Sequence, residues 1–486
     1  MVKFNRKERK GYTKGAKKKR NMKKIICILA YLHISILLIA QNNAAVTAFV
    51  NKEALRHANI SFQLRDLSNN KVVAEYNAQR SCTPASVTKV ITTATAIELL
   101  GGDYRFQTAL ATDGEIDKDG VLQGNLIIVG SGDPTLGSRY FGKSSDFIPE
   151  WIDLLQKKGI RSVRGRVIAE TNLYDKNPVN TQWIREDAGN YYGAGVHQLS
   201  IFDNAFSVTF KSGNVGITPE IVETNPVVNY TFRNFLQTSS AIKKDSIYLS
   251  SEPYSEEKTV YGAMLPSKTK TEKGDISNPP AFFEGYFAQK LRELAGIEVK
   301  GEDSIPATHY SLLTTHYSPP LKDIAAMTNF FSNNNYAEHL LKHLALQKDS
   351  VASFNTALQV LREFWASKGI DVSGLFMYDG SGLSPKNAVS AAFICDVLKY
   401  MQANKAFYNS LPVAGESGTV ASFLASTPLK GKAHVKSGSF RNVQCYAGYI
   451  SKGGKDYVFC ILVNNFTGER KNVVKLIEEL LVNSTL

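Results

Sequence analysis

The chain has 486 residues, 43% hydrophobic and 21% charged, a balance that suits a globular protein with a sizeable core and room for two or three domains. Its formal charge of +13 first suggests nucleic acid or another acidic surface as a partner. Residues 1–24, however, hold twelve Lys or Arg against the single Glu8, a charge of +11, so +2 remains for everything after and the case for a nucleic-acid partner falls away.

An apolar run from Ile25 to Ala40 follows that basic block, interrupted by Tyr31, His33 and Ser35, and leads into Gln41-Asn42-Asn43 and Ala44-Ala45. This is the outline of an export signal, and the run is shorter than the ~20 residues a spanning helix prefers. Residues 1–44 are expected to be a basic leader and a cleaved signal peptide that sends the chain to the periplasm or cell envelope. An uncleaved anchor is the alternative, and association with a membrane surface stays open. Met22 with Lys23-Lys24 makes a compact signal of its own and is a candidate start of translation. Beyond Cys27 in this segment, Cys82, Cys395, Cys445 and Cys460 show no Cys-x-x-Cys pair and read as buried thiols, with a Cys445–Cys460 bridge as the alternative.

The mature part opens with Ile60, Phe62 and Leu64 alternating with Ser61, Gln63 and Arg65, then a turn and Val72 to Tyr76, a hairpin pattern. After Pro84 the apolar residues Val87, Val90, Ile91, Ala94 and Ile97 keep a helical period that Gly101-Gly102 ends, which puts Ser86 in the first turn of a helix. From 105 to 317 the texture is short strands and turns, as in inserted β-rich domains. The tail returns to helices through Ala337 to Leu346 and near Phe354 to Lys368, β runs at Val443 to Ile450 and Tyr457 to Asn464, and a closing helix from Lys471 to Leu481. The expected division is therefore 1–44 leader, 45–104 with 318–486 as the catalytic body, and 105–317 as the insert.

Ser86 and Lys89 stand three residues apart on one face of the helix after Pro84. A neutral lysine amine there can take the serine's proton as it attacks a carbonyl, provided burial lowers its pKa, and the helix N-terminus offers N–H groups to an oxyanion. Ser-x-x-Lys alone is weak evidence, since Ser240 to Lys243, Ser255 to Lys258 and Ser267 to Lys270 also match; these lie in polar stretches and read as solvated surface. Ser332-Asn333-Asn334 has the Ser-x-Asn form, in which a hydroxyl relays a proton and the Asn334 amide meets a substrate peptide group. The same residues also suit a helix N-cap. Lys436-Ser437-Gly438-Ser439 sits on a strand-like run, where a cation with hydroxyls can hold a terminal carboxylate and Gly438 lets the substrate backbone come close. Lys211-Ser212-Gly213 repeats the form inside the insert, without the β runs and helix that follow Lys436, and reads as a turn.

The order Ser-x-x-Lys, Ser-x-Asn, Lys-Ser-Gly resembles the signature of penicillin-binding proteins and class A β-lactamases. Gly124-Asn125-Leu126 leading to Gly132-Asp133-Pro134-Thr135-Leu136, then Tyr191-Tyr192-Gly193-Ala194, Asp379 to Ser384 and Ser410 to Gly415, narrow the resemblance. They are similar to the class C low-molecular-mass group, the S13-type D-Ala-D-Ala carboxypeptidases, from about residue 50 to the C-terminus. The resemblance implies an α/β fold of the α+β kind, an antiparallel transpeptidase-like sheet flanked by helices with large β-rich inserts. It implies a serine carboxypeptidase or endopeptidase acting on peptidoglycan stem peptides without cofactor or metal and inhibited by β-lactam antibiotics. By the same resemblance Ser86 is the acylated nucleophile, Lys89 the base, Ser332 the proton relay, Asn334 the amide contact and Lys436 the carboxylate anchor. Ser437 and Ser439 would bind that carboxylate, and the N–H groups of Ser86 and Ser439 would form the oxyanion hole. Ser437 stands where Thr is usual and Asn333 where Asp is usual. Asp187 is a minor candidate for meeting a free amine on the stem peptide.

Four rivals are weaker. His339 and His343 lack the Glu of a His-Glu-x-x-His zinc site and read as helix-surface histidines. No Gly-x-Ser-x-Gly elbow supports a Ser-His-Asp hydrolase. A β-lactamase would use the same acylating residues, and a non-catalytic peptidoglycan-binding protein would keep the fold without the chemistry.

Overall fold

In a computed structural model of the chain, residues 44–142, 146–302 and 309–485 are described. The expected leader and signal peptide, with the Met22 start and Cys27, lies outside them but for Ala44. Among the described residues no helix is long and apolar enough to cross a membrane.

Both ends of the chain build one five-stranded antiparallel sheet. Its order is Ala433–Phe440, Val443–Lys452, Lys455–Asn464, Asn59–Asp66 and Val72–Tyr76. The two longest strands are joined by a tight turn in which Gly453 and Gly454 have φ of 62° and 76°, a conformation that glycine adopts without a Cβ penalty. Alternation in Asn59–Asp66 suggests one wet face, yet Ser61, Gln63 and Arg65 are buried as well. The reason is the helix Ala391–Met401, which covers that face and bonds it. Ala391 N donates to Ser61 Oγ at 3.0 Å, and Arg65 reaches Asp396 at 2.5 Å. The closing helix Arg470–Ser484 lays Val473, Ile477 and Leu480 on the opposite face, against Phe62, Phe459 and Ile461.

The helix Thr88–Leu100 runs through the main core and is buried from Thr88 to Ile97. Val90, Ile91 and Ile97 each contribute about 1.5–3 kcal/mol by full burial. Its threonines do not face water. Thr93 and Thr95 donate to the carbonyls of Lys89 and Ile91, each at 2.7 Å, and Thr92 donates to Gly380 O at 2.7 Å. Ser86 sits just ahead of this helix, in the 3-10 turn Ala85–Val87, and not in its first α-turn.

The chain between these parts forms further sheets. Gln107–Thr112 pairs with Ser311–Tyr317 and with Leu126–Val129, which continues to Val167–Glu170, over a core that includes Trp151, Phe283 and Phe287. Ala205–Lys211 pairs with Glu220–Asn225 and Thr269–Asp275, while Glu257–Met264 carries Thr231–Asn234, Gln237–Thr238 and Ser246–Ser250.

The four cysteines among the described residues are free and buried. Cys445 pairs across the sheet with Leu462 and Cys460 with Ala447, so the two thiols are not opposite one another.

Candidate active site

Three chain segments meet at one end of the sheet. The turn holding Ser86 is tied to the sheet by Asn464, whose amide accepts from Thr83 N at 2.7 Å and donates to Thr83 O at 3.0 Å. Ala85 and Ser332 both have left-handed backbone, φ 48° and 55°, a strained setting for residues other than glycine and one that recurs at functional sites. Ser332 stands between the helices Leu321–Phe330 and Asn334–His343, and Asn333 caps the second by accepting from Tyr336 N at 3.1 Å. Lys436, Ser437, Gly438 and Ser439 lie on the edge strand Ala433–Phe440.

Lys89 is fully buried, and its amine donates to Ser86 Oγ at 3.0 Å, Asn334 Oδ1 at 2.7 Å and the Ser381 carbonyl at 2.7 Å. Burial brings its pKa down to about 7, against the opposing pull of the Glu338 and Asp379 carboxyls. An amine poised there can exchange a proton with the hydroxyl beside it near neutral pH. Asn334 has its amide orientation set from both sides, because its Nδ2 donates to Tyr192 O at 2.9 Å.

Lys436 is likewise buried and donates to Ser332 Oγ at 3.0 Å and to the Ser437 carbonyl at 2.8 Å. Burial and the neighbouring Lys89 hold its amine well below the ordinary lysine range. Each lysine thus meets one serine, and Asn334 adds a link from Lys89 to the Ser-x-Asn segment. Ser437 Oγ shares a 2.8 Å hydrogen bond with Thr419 Oγ1, and Ser439 is exposed.

Gly438 has a steric reason for being glycine within the fold itself. A Cβ on it would lie 2.5 Å from Pro84 O, 2.8 Å from Val87 N and 2.9 Å from Ser86 N, so the edge strand packs directly on the serine's turn.

Behind Lys89 lies a buried carboxyl pair that no motif announced. Glu338 accepts from Gly380 N at 3.0 Å and Ser381 N at 2.7 Å, and burial with the nearby Asp379 raises it to about 8. Asp379 is raised by burial too, and accepts from Gly382 N, Ser384 N, Asn387 Nδ2 and Trp183 Nε1. The loop Asp379 to Ser384, noticed in the sequence only as a block, is therefore what presents the Ser381 carbonyl to Lys89. Asp187 is buried and raised to about 6, first by burial and then by Glu186.

The other sequence candidates separate. Ser240, Lys243, Ser267 and Lys270 are exposed, whereas Lys258 is wholly buried in an ion pair with Asp275, which corrects its reading as solvated surface. Ser212 donates to Leu265 O at 2.6 Å in a turn of the insert. His339 and His343 are not surface residues either. His339 meets Ser200 Oγ and Asn335 O, each at 2.8 Å, His343 meets Tyr104 OH at 2.8 Å and Tyr174 OH at 3.1 Å, and burial lowers both to about 4, leaving neutral rings that pack and bond. Among the described residues no cluster of three or more His, Cys, Asp or Glu is placed to hold a metal.

A sequence model of the D-Ala-D-Ala carboxypeptidase 3 (S13) family matches residues 42–483. The chain belongs to that family. Among similar S13-type sequences, a D-alanyl-D-alanine carboxypeptidase of Actinomadura sp. (strain R39) is 27% identical over 447 residues, 87% of this chain and 81% of that one. D-alanyl-D-alanine carboxypeptidase DacB of Haemophilus influenzae is 27% identical over 433 residues, 86% of this chain and 88% of its own. The fold is that of the crystal structure of penicillin binding protein 4 (dacB) from Haemophilus influenzae, with a TM-score of 0.79 at 24% identity over 90% of this chain and 98% of that one. The antiparallel sheet flanked by helices that the resemblance implied is thus present in the fold.

Proposed function

We propose that this S13 chain is a serine-type D-Ala-D-Ala carboxypeptidase that works through an acyl-enzyme on Ser86. The observation that carries the assignment is the buried Lys89 amine, poised near pH 7 and 3.0 Å from Ser86 Oγ. Ser86 Oγ attacks the carbonyl of the penultimate D-alanine while Lys89 takes its proton, giving a tetrahedral oxyanion faced by the N–H groups of Ser86 and Ser439. The C–N bond then breaks, and the leaving amine receives a proton relayed by Ser332. Water cleaves the ester, releasing the shortened peptide acid and restoring Ser86. Asn334 meets a peptide amide of the substrate, and Lys436 with Ser437, Gly438 and Ser439 holds its terminal carboxylate, whose arrival favours the charged form of the buried amine.

The substrate is a peptidoglycan stem peptide, cut at its end or at a cross-link, and β-lactams act as trapped substrates. Penicillin binding protein 4 of Haemophilus influenzae has been obtained in complex with a β-lactam, which supports that inhibitor class. The basic leader and apolar run support export to the periplasm or envelope. The division into a catalytic body of 45–104 with 318–486 and an insert of 105–317 is supported by the separate sheets and cores.

The test is incubation of the purified protein with a fluorescent penicillin, with Ser86→Ala alongside, followed by peptide mass spectrometry. Label on Ser86 that is absent from the variant is expected. A folded protein that takes no label overturns the reading in favour of a non-catalytic binding protein.

A further inference from the structure

A groove of about 290 Å³ lies on the inserted part of the chain, between the helix Pro279–Ala295, residues 227–230 and residues 254–256. On the helix, Phe282, Gly285, Tyr286 and Gln289 recur at i, i+3, i+4 and i+7, so they line the groove from one face. The Phe282 and Tyr286 ring centroids stand 5.8 Å apart with their planes within 21°, which makes a flat apolar surface, and Tyr254, 43% exposed, adds a third ring. Gly285 sits in the interior of this 17-residue helix, where glycine is less stable than alanine, and a Cβ built on it would meet no atom within 4 Å. Packing does not call for a glycine there. What it does is leave the groove open beside the rings.

The polar groups of the groove are those that bond amides and hydroxyls. Asn278 Oδ1 accepts from Ala281 N at 3.4 Å, which leaves its Nδ2 to donate, while Gln289 Nε2 donates to Glu293 Oε1 at 2.6 Å, which leaves its Oε1 to accept. These two stand roughly 16 Å apart along the helix, longer than one sugar ring. Among the described residues that line the groove Glu256 alone is charged, and the nearby cations Lys258 and Lys290 are held in ion pairs with Asp275 and Glu293. No free cation is thus placed to meet an anion, whereas flat rings, an amide donor, an amide acceptor and a carboxylate for hydroxyls suit a neutral oligosaccharide with acetamido groups. Tyr286 also lines the cleft beside Ser332 and Asn334, and Asn225-Pro226 of that cleft lead directly into Val227 and Val228 of the groove.

We propose that this groove binds N-acetylated sugar residues of the glycan strand to which stem peptides are attached. The sugar rings lie on Phe282 and Tyr286 beside Gly285, acetamido groups meet Asn278 and Gln289, and a hydroxyl donates to Glu256. The choice of a glycan strand rests on the peptidase reading of Ser86 and adds to it a hold on the polymer outside the peptide cleft.

The experiment titrates the purified protein with tri-N-acetylchitotriose in a calorimeter, with cellotriose, which carries hydroxyls in place of the acetamido groups, as the control. Wild type is expected to bind the first at least tenfold more tightly, the scale of one or two hydrogen bonds. Gly285→Leu should weaken binding at least tenfold while its thermal midpoint holds or rises, because leucine fills the groove and favours the helix. Glu256→Gln, a change at an exposed residue, should weaken it about fivefold, and it carries the test alone if Gly285→Leu lowers the midpoint. No binding by wild type, equal binding of cellotriose, or undiminished binding by a folded variant overturns the site. Penicillin labelling of Ser86 is read on the same preparation. Label without sugar binding removes the site alone, while sugar binding without label keeps the site and removes the peptidase reading.

Discussion

Lys89 Nζ lies 3.0 Å from Ser86 Oγ in a site where burial has brought the amine down to about 7. The sign of the pH dependence follows. Below that value the amine is protonated and has no lone pair for the serine's proton; above it the base is ready. Acylation by a chromogenic β-lactam, followed by stopped flow from pH 5.5 to 9, is expected to rise about tenfold per pH unit up to roughly 7 and then level off. A rate that keeps climbing past pH 9 would mean that the lysine titrates as an ordinary amine and is not the base.

Gly438 offers a steric test of how tightly the edge strand holds the turn of Ser86. In Gly438→Ala the new methyl lies 2.5 Å from Pro84 O and 2.9 Å from Ser86 N, backbone atoms that cannot swing aside, so strand and turn must separate. Displacement of a reacting group by about 1 Å can cost about 10²-fold, and that loss in acylation rate is expected together with a lower thermal midpoint. The adjacent Ser439 side chain is exposed, and Ser439→Ala is expected to stay within about tenfold of wild type, the scale of one hydrogen bond. Acylation of Gly438→Ala at the wild-type rate would show that the turn does not depend on the strand.

What the sequence made legible is side-chain chemistry at short spacing. Ser86 with Lys89, Ser332 with Asn334 and the Lys436 to Ser439 run are each local patterns, and the fold brings all three to one place. Partners that act through their backbone left no such trace: the carbonyls of Ser381 and Tyr192 hold Lys89 and Asn334, yet any residue could supply them. Glu338 stayed hidden because it follows the Ser-x-Asn motif as one polar residue on an amphipathic helix. Ser61, Gln63 and Arg65 misled for a related reason, since alternation reports one buried face and cannot announce that a distant helix covers the other.

Lys258 yields a stability prediction. It is wholly buried on Glu257–Met264 and joins Asp275, on a strand of the neighbouring sheet, with Ser251 Oγ at 2.8 Å, Ser277 Oγ at 2.5 Å and the Tyr230 ring centroid at 4.8 Å. Lys258→Met strands the Asp275 carboxylate and is expected to cost about 3–5 kcal/mol of stability in chemical denaturation. Replacing both partners, Lys258→Met with Asp275→Leu, should recover most of that loss, because the unpaired charge and not the missing attraction dominates the cost. A double variant no more stable than the single one would count against that account.

Glu338 connects the helix after Ser332 to Lys89. Its carboxyl accepts from Gly380 N and Ser381 N, and the Ser381 carbonyl in turn accepts from Lys89 at 2.7 Å. Glu338→Ala leaves two buried N–H groups unpaired, at a cost of about 2–4 kcal/mol, and loosens the carbonyl that orients the amine. Acylation is expected to fall about 10- to 100-fold, within the range of losing one positioned acid–base partner. Glu338→Gln keeps an acceptor for those N–H groups and should lose less rate. Glu338 is itself raised to about 8 and so is largely uncharged where Lys89 titrates, and the midpoint of the acylation profile should stay near 7 in both variants. A midpoint that moves to lower pH would show instead that the Glu338 carboxylate is charged there and holds the Lys89 pKa up, beyond its support of the Ser381 loop.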